Sequence, residues 1–440
     1  MSSKKVLVIA HGKRLYGGGE ISNHALMKYL KKKGLEVRIV LPATKDTADA
    51  RCLKVLKDDN IPYYFATDYG WIDNEAAAYN SYQAVYHINN IIAEYHPDVV
   101  MTNTIVVPWG ALSAAMNNIP HLLIVREPKQ GGPVGKIYEL YKKGNFIKDF
   151  SETVMANSMA NIQYLKNYLD IDANLFYSFV DTSNIKITGS SDNTRIVSIS
   201  HFEDKKNQME LLRAVLILKE KYHIKNQVVL IGEYSSQYGE EVKEFIKNNG
   251  LSKLVSLSGY APNPWQLVNS NDLIVLCSKA ESIGRVAIEA EKLGIPIVFS
   301  DNPGHQEVAA AGGGILYKLG DVNDLAKKIH YALENYPSIQ KDAAIIKVKI
   351  TKNLSEENCC RSVYDTIIRL SKMENSQKSL SALRDTFNSH IKCASTLTDK
   401  QAKIISNLDK DLKNVHSSKS YKIGRAVTSP ARKIKKALKK

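Results

Sequence analysis

The stretch Glu281-Ser-Ile-Gly-Arg-Val-Ala-Ile-Glu289-Ala-Glu-Lys-Leu-Gly-Ile-Pro296 joins two apolar segments of the chain. The run DLIVLC at 272–277 before it and the run LGIPIVF at 293–299 after it are typical of buried strands. Between them, Gly284 and the residues that follow predict a loop that opens a helix. A strand, a glycine-containing loop, a helix and a further strand present backbone N–H groups and a helix N-terminus to a phosphate. The stretch therefore predicts a phosphate-binding unit, for which most of the chain is the scaffold.

Apolar runs and helical patterns alternate on both sides of this stretch. A polar segment at 182–194 (TSNIKITGSSDNT) reads as a linker and divides them into two halves. Strands are predicted at 4–10, 36–41, 63–65, 98–101, 121–125, 153–156, 195–200, 227–232, 254–258, 272–277, 293–299 and 315–317. Helices are predicted at 21–33, about 76–94, about 109–117, 208–222, 238–249, 321–335 and 355–371. Two successive α/β halves predict two Rossmann-like domains that face each other across a cleft.

The net charge of +15 is concentrated at the C-terminal end of the chain. Residues 373–440 contain sixteen Lys or Arg and five Asp or Glu, a net charge of +11, which leaves +4 for residues 1–372. The body is nearly balanced and shows no basic groove interleaved with aromatic residues, which nucleic-acid binding would favour. We therefore expect no nucleic-acid partner.

The tail carries two amphipathic patterns. Apolar residues recur at spacings of three and four at Leu383, Phe387, Ile391 and Ala394, and again within 405–415. This predicts a helix in 380–415 that either self-associates or packs on the body. The segment 420–440 has eight basic and no acidic residues, and its apolar residues also recur at four and three. It is either a solvated tail or, as we expect, a basic element that lies on an anionic membrane surface.

Several function classes find no support in the composition. No stretch approaches the roughly 18 uninterrupted apolar residues that a membrane span needs, and MSSKKV leads directly into a predicted strand, so we expect no secretory signal. The cysteines at 52, 277, 359, 360 and 393 form no CxxC spacing, which is typical of a reducing cytosol. The DxD spacings at Asp170–Asp172 and Asp409–Asp411 are attributed to chance, and no metal is assigned.

Two places in the first half suggest a functional role. Gly17-Gly-Gly-Glu20 follows the first strand, where it forms either a phosphate-cradling nest or a flexible turn. We expect Glu20 to act as a first-turn partner of the helix dipole. Arg126 and Glu127 follow the strand 121–125, at the edge where ligands of open α/β sheets bind. They either contact a ligand or pair with each other at the surface.

Five ordered pieces of sequence carry a resemblance to a known family. They are GGGE (17–20), SHFEDKKN (200–207), VVLIGE (228–233), SGY (258–260) and ESIGRVAIEAEKLGIPIVFSDNPGHQEV (281–308). In content and spacing they resemble the family-4 retaining glycosyltransferases, and most closely the bacterial cell-surface polysaccharide branch. The resemblance covers about residues 4–345 and implies the GT-B fold. The implied parts are an acceptor-side domain at 1–188, a nucleotide-sugar-binding domain at 189–345, a helix at 346–372 that returns to the first domain, and the tail at 373–440.

The resemblance implies a role for each residue that matches a family motif. Lys206 would bind the leaving pyrophosphate together with backbone N–H groups of Ile283, Gly284, Arg285 and Val286, with no metal required. Glu289 would accept the ribose hydroxyls, and Glu281 would hold hydroxyls of the sugar ring. The remaining assignments are Gly18, Gly19 and Tyr260 on the donor side, Arg126 beside the reacting sugar and Glu127 on the acceptor side.

One departure from the family pattern lies at His201, where the family usually has Arg. An arginine is permanently charged and forks onto phosphate oxygens, whereas histidine is shorter and has an ordinary pKa of about 6.5. Either His201 is protonated against the pyrophosphate, or Arg285 supplies the missing charge, or the donor site is weakened. We favour the first two interpretations.

The resemblance implies an enzyme that moves a sugar from a nucleotide-diphosphate-sugar to a bacterial surface glycan, which we expect to be lipid-linked. The basic tail, the cysteine pattern and the expected lack of a secretory signal lead us to expect a cytoplasmic enzyme peripheral to the membrane. Retention of configuration without an enzymic nucleophile implies front-face attack, with the leaving phosphate taking the acceptor's proton. Two alternatives are a sugar-nucleotide epimerase of the same fold class and a non-catalytic basic binding protein. Acceptor-dependent release of nucleotide would exclude the epimerase, and steeply salt-dependent RNA binding by residues 1–372 would favour the binding protein.

Overall fold

A computed structural model of the chain describes residues 3–14, 17–67, 69, 75–105, 107, 109–126, 143–187, 189–190, 193–374, 376 and 410. The chain divides into two units, Met1–Ser381 and Ala382–Lys440. In the second unit only Lys410 is described, and it is helical. The amphipathic patterns predicted in 380–415 and 420–440 otherwise lie outside the described residues.

The first sheet consists of seven parallel strands. These are β1 (Lys5–Ile9), β2 (Glu36–Pro42), β3 (Tyr63–Ala66), β4 (Val99–Thr102), β5 (His121–Val125), β6 (Thr153–Ala156) and β7 (Asn174–Leu175). Their order is β3-β2-β1-β4-β5-β6-β7. The accompanying helices are α1 (Gly18–Lys32), α2 (Ala50–Asp58), α3 (Glu75–Tyr95), α4 (Trp109–Met116), α5 (Lys143–Phe150) and α6 (Met159–Leu169). The order reverses at β1, where Val6 pairs with Val37 of β2 and with Val99 of β4.

The second sheet repeats this topology with six parallel strands. They are β8 (Ile196–Ile199), β9 (Val228–Ile231), β10 (Val255–Leu257), β11 (Leu273–Leu276), β12 (Ile297–Ser300) and β13 (Ile315–Tyr317), in the order β10-β9-β8-β11-β12-β13. Its helices are α7 (Gln208–Lys221), α8 (Gln237–Asn248), α9 (Arg285–Leu293), α10 (Pro303–Ala311), α11 (Val322–Glu334) and α12 (Tyr336–Asn353). Ligands of such sheets bind outside the carboxyl ends of the strands where the order reverses, here between β8 and β11. Two Rossmann-like domains are therefore confirmed.

Several inner strands of both sheets are buried along their whole length, because helices cover both faces of each sheet. Every residue of β4, β8, β11 and β12 is buried. These strands have continuous apolar sequences rather than alternating ones, which is the pattern of parallel sheets covered on both sides. The core is thus built from the same runs of Val, Ile and Leu that predicted the strands.

Several helices differ from the sequence-based expectation: α2, α5 and α10 were not predicted, and α1 and α12 differ as follows. Helix α1 begins at Gly18, three residues before the predicted start at Ile21, because its first turn is made of glycines that give no apolar periodicity. Helix α12 was not predicted, and Pro337 lies at its start, where the missing N–H of proline is tolerated. This helix crosses the predicted domain boundary at 345/346. Residues Gly312–Gly314 connect α10 to β13.

The last described helix, α13 (Glu356–Leu370), packs against the first sheet's helix α1. Glu357 accepts a hydrogen bond from the Tyr29 hydroxyl at 2.9 Å and pairs with Lys33 at 2.9 Å. Near the other end of the helix, Arg369 donates to the Thr153 hydroxyl at 2.8 Å. A chain that has just completed the second sheet therefore returns to brace the first.

No helix in the described part of the chain is both long and apolar enough to cross a bilayer.

Candidate functional site

A cleft of about 480 Å³ opens at the carboxyl ends of β8, β9 and β11. Gly17 and Gly18, which precede and begin helix α1 of the first domain, form part of its opposite wall. The predicted site residues that line it are His201, Lys206, Tyr260, Glu281, Gly284, Arg285, Val286, Glu289 and Gly18. The structure thus brings together residues from both halves of the chain at the topological switch point of the second sheet.

The loop from β11 to α9, residues 277–284 (the donor loop), owes its shape to Gly284. This residue is the N-cap of α9 and adopts the left-handed conformation, with φ of +63°. A Cβ atom there would lie 2.6 Å from Cδ2 of His305, so the imidazole occupies the space that a side chain would need. Ile283, just before it, is buried in the core and does not line the cleft. Only its backbone is available for the predicted phosphate contact.

Lys206 and Glu281 form an ion pair at the floor of the cleft, in which the ammonium donates a hydrogen bond to Oε1 of the carboxylate. Lys206 belongs to a short 3₁₀ turn, Asp204–Lys206, that leads into α7. Burial raises the pKa of the Glu281 carboxyl, but the charge and hydrogen bond of Lys206 outweigh that effect, so the pKa lies below its ordinary value. The pair is therefore ionised, and it places a cation and an acceptor side by side.

Glu289 lies on helix α9, and both its carboxylate oxygens have partners. Trp265 donates its indole N–H to Oε2 at 2.7 Å, and Arg285 pairs with Oε1 at 2.9 Å. Arg285 also reaches the first domain, where Nη1 donates to the Ser22 hydroxyl at 3.4 Å. Gly18 faces the same side chain, since a Cβ there would lie 3.5 Å from Cδ of Arg285. Glu289 is thus fixed in orientation while its remaining lone pairs stay available to a ligand.

His201 is exposed at the end of β8, and its ring lies parallel to that of Tyr260, with ring centroids 6.5 Å apart. Tyr260 is itself 47% exposed. Two flat, exposed rings at the mouth of a cleft offer a stacking surface for a planar group. Gly19 lies away from this mouth, against His11 on the first domain.

Arg126 is buried in the first domain and does not line the cleft. Its Nε donates to Oδ1 of Asn103 at 2.7 Å and its Nη1 to the hydroxyl of Ser178, and the guanidinium lies 4.9 Å from the ring centroid of Phe176. The residue therefore holds together the ends of β4 and β5 and the segment after β7. Its predicted place beside the sugar stays a prediction, and Glu127 lies outside the described residues.

His305 was not identified from the sequence as a site residue, although it lines the cleft. Burial lowers the pKa of its imidazole to about 4, so the ring is neutral. Its Nδ1 lies 3.0 Å from the carbonyl oxygen of Ser300, at the start of the network that begins helix α10. Gly232 and Trp265 also line the cleft without having been assigned. The tryptophan gave no sequence signal because it follows no recognisable motif.

Two charged groups of the first domain have local partners. Glu20, in the first turn of α1, pairs with His11, with Oε1 3.1 Å from Nε2. Of the two DxD spacings, Asp170 and Asp172 pair with lysines at the surface, and the tail spacing lies outside the described residues. In the described part of the chain, no three or more His, Cys, Asp or Glu side chains cluster in a way that could hold a metal ion.

Comparison with known families adds to this geometry. A model described as "Glycosyl transferases group 1" matches residues 181–349, and one described as "Glycosyltransferase Family 4" matches residues 16–184. The two models follow each other along the chain, one on each sheet. The chain belongs to the group 1 and family 4 glycosyltransferases. Its GT-B fold follows from the two facing Rossmann-like domains and from the structural neighbours below.

Curated relatives of this glycosyltransferase match over part of their length. The capsular polysaccharide biosynthesis glycosyltransferase CapH of Staphylococcus aureus is 23% identical over 132 residues, which is 30% of this chain and 37% of that protein. The N-acetyl-alpha-D-glucosaminyl L-malate synthase of Bacillus anthracis is 27% identical over 187 residues, 41% of this chain and 46% of that protein. The chain thus spans less than half the length of these two relatives.

Among solved structures, Alr3699/HepE of Anabaena in complex with UDP and glucose is similar with a TM-score of 0.69. The identity is 20%, and the superposition covers 83% of this chain and all of that one. At this identity the similarity establishes the fold.

The contact between Gly284 and His305 gives a test of the donor loop's geometry. We expect Gly284→Ala to lower the free energy of unfolding by more than Gly250→Ala does. Both glycines have nearly the same φ, +63° and +62°, and so share a left-handed cost of about 1–2 kcal/mol for alanine. Only at 284 would the new methyl group meet another side chain, because nothing lies within 4 Å of a Cβ at 250.

Urea unfolding of the two variants measures the difference. In a His305→Ala background, with that single variant as the reference, the extra cost of Gly284→Ala should largely disappear, since the methyl group then has room. Equal losses at 284 and 250 would contradict the assigned packing of His305 on the donor loop.

Proposed function

We propose that this chain transfers a glycosyl group from a nucleoside-diphosphate sugar to a glycan acceptor, with retention of the anomeric configuration. The observation that carries the proposal is the arrangement in one cleft of the Lys206–Glu281 pair and, one helix turn beyond the Gly284 cap, the fixed carboxylate of Glu289. Lysine suits a diphosphate, and carboxylate acceptors suit hydroxyls. A nucleoside-diphosphate sugar carries both kinds of group in this order: ribose, diphosphate and sugar ring.

The diphosphate would bind between Lys206 and the N-terminus of α9, where Gly284 has no side chain to block the backbone N–H groups. The family usually has an arginine at the position of His201, and either His201 or Arg285 could take its place. Arg285 already pairs with Glu289 at 2.9 Å. His201 lies exposed at the mouth of the cleft. We therefore assign the additional contact with the diphosphate to His201.

A step without a glycosyl-enzyme intermediate is supported by the state of the carboxylates that line the cleft. Among its described lining residues these are Glu281 and Glu289, and each is held by a cation. A carboxylate paired in this way is a poor nucleophile. In the proposed step the acceptor oxygen bonds to the anomeric carbon on the face that the phosphate leaves, the C–O bond to the phosphate breaks, and the acceptor's proton passes to a phosphate oxygen.

For the acceptor we propose a lipid-linked bacterial surface glycan. The relative CapH is named for capsular polysaccharide biosynthesis, and the basic segment 420–440 would keep the enzyme at an anionic membrane surface where such an acceptor resides. The location that follows is cytoplasmic and peripheral to the inner face of the membrane. Glu127 would face the acceptor, and Arg126 would support the end of β5 from which Glu127 departs.

The ribose assignment is tested at Glu289. We expect Glu289→Gln to weaken binding of the preferred nucleoside diphosphate by about tenfold, because an amide accepts hydrogen bonds less strongly than a carboxylate. A panel of UDP, GDP and dTDP measured by calorimetry identifies that nucleotide first. Glu244→Gln, at an exposed position on α8, is the matched control and should bind like the wild type. Unchanged affinity in Glu289→Gln would remove the ribose role.

The membrane assignment is tested in the full-length chain by replacing Arg432, Lys433, Lys435 and Lys436 with glutamine. Each well-placed cation contributes about 1 kcal/mol at an anionic surface. The partition coefficient onto phosphatidylserine-containing vesicles, obtained from co-sedimentation, should therefore fall at least about a hundredfold. The control replaces four exposed lysines of the body, Lys253, Lys318, Lys327 and Lys341. If both variants sediment like the wild type, the tail does not bind the membrane.

A further inference from the structure

The donor loop is hydrogen-bonded to the first domain through Ser282. The Ser282 hydroxyl donates to Oδ1 of Asn157, and it accepts a hydrogen bond from Nδ2 of Asn161 at 2.9 Å. Nδ2 of Asn161 also donates to Oδ1 of Asn157 at 2.8 Å. The three side chains therefore form a closed triangle, hereafter the Asn157–Asn161–Ser282 triangle. It joins residues that are 125 positions apart in sequence.

This triangle is buried and internally satisfied. Ser282, Asn157 and Asn161 are 7%, 4% and 1% exposed. The two N–H groups of the Asn161 amide have different acceptors, and the hydroxyl acts once as donor and once as acceptor, as the chemistry of these groups allows. Buried hydrogen bonds of this kind are costly to break, since each leaves a polar group without a partner.

The first-domain side of the triangle is rigid. Asn157 directly follows β6, and Ser158 caps helix α6 by accepting a hydrogen bond from the backbone N–H of Asn161 at 3.1 Å. A second contact between the domains lies beside it, where Oε1 of Glu307 accepts from the backbone N–H of Ala160 at 3.1 Å. The start of α6 thus provides a fixed support for whatever it contacts in the second domain.

On the second-domain side, the triangle contains Ser282, which directly follows Glu281 in sequence. The carbonyl oxygens of Glu281 and Ser282 would lie 2.5 and 2.7 Å from a Cβ at Gly304, so helix α10 packs tightly against this backbone. The backbone at Glu281 is therefore held by α10 of its own domain and by Ser282's contacts with the first domain. Glu289 needs no such support, because its partners Trp265 and Arg285 belong to the second domain.

We propose that Asn157 and Asn161 are positioning residues for the donor sugar, which fix Glu281 through Ser282 and make the sugar contact depend on the contact between the two domains. This inference rests on the proposed function, in which Glu281 holds the sugar hydroxyls. The nucleotide half of the donor then depends on Glu289, whose two side-chain partners belong to the second domain. The sugar half gains its full affinity only when the first domain is in place. The reactive sugar is held only in the arrangement that also brings the acceptor side close.

The test compares two variants that open the triangle from opposite sides, Asn161→Ala and Ser282→Ala. For each variant we measure the dissociation constants of UDP, GDP and dTDP and of their sugar-linked forms. We then divide the dissociation constant of the free nucleotide by that of the nucleotide sugar. In both variants the nucleotide sugar should bind about tenfold more weakly, while the affinity for the free nucleotide stays within about twofold. The double variant should lose no more than the worse single variant, because both open the same triangle.

Glu307→Ala is the matched control, since it removes the neighbouring contact between the domains without touching Ser282. Its ratio should remain that of the wild type. If the ratio of dissociation constants falls equally in Glu307→Ala, the triangle is only a structural contact. If the ratio is unchanged in folded Asn161→Ala and Ser282→Ala, this inference is wrong while the proposed function still holds. A wild type that binds none of the nucleotides would overturn the proposed function and this inference with it.

Discussion

The ion pair between Lys206 and Glu281 joins the two loops that form the floor of the cleft. One loop follows β8 and the other follows β11, and these strands are neighbours at the point where the strand order reverses. An unpaired charge at this depth would be unfavourable, so each partner stabilises the position of the other. A second link ties the same loops together at the surface, where Lys279 pairs with Asp204 at 2.7 Å. The geometry of the candidate donor site depends on this connection.

Two charged side chains of α9 beside the cleft are held in different ways, one by a charge of opposite sign and the other by carbonyl oxygens. Glu289 has Arg285, and the buried Lys292 donates to the carbonyl oxygens of Val180 and Leu354 at 2.9 and 2.8 Å. Through Lys292, α9 is tied to the segment between the sheets at Val180 and to the chain that leads into α13 at Leu354. The helix that presents the donor loop is therefore anchored to both domains at its far end.

The fold was accessible from the sequence because continuous apolar runs recur with helical patterns between them. The Lys206, Glu281 and Glu289 set was proposed through the resemblance to the glycosyltransferase family, because each of these residues matches a family motif. His305 and Trp265 were not, since their position in the cleft arises from the packing of α10 and of the turn at Pro264–Leu267. The contacts of Asn157 and Asn161 with Ser282 were equally inaccessible, because they depend on how the two domains meet. Arg126 lies at the end of a strand, which is a typical site position, and its side chain contacts Asn103 and Ser178 inside the first domain.

The most direct test of the account is a crystal structure of the full chain with the UDP-, GDP- or dTDP-sugar that gives the largest thermal shift. We predict the ribose hydroxyls within hydrogen-bond distance of Glu289, the diphosphate between Lys206 and the N-terminus of α9, and the sugar ring against Glu281. A donor bound outside this cleft, or one whose sugar lies at Glu289 and whose ribose lies at Glu281, would contradict it.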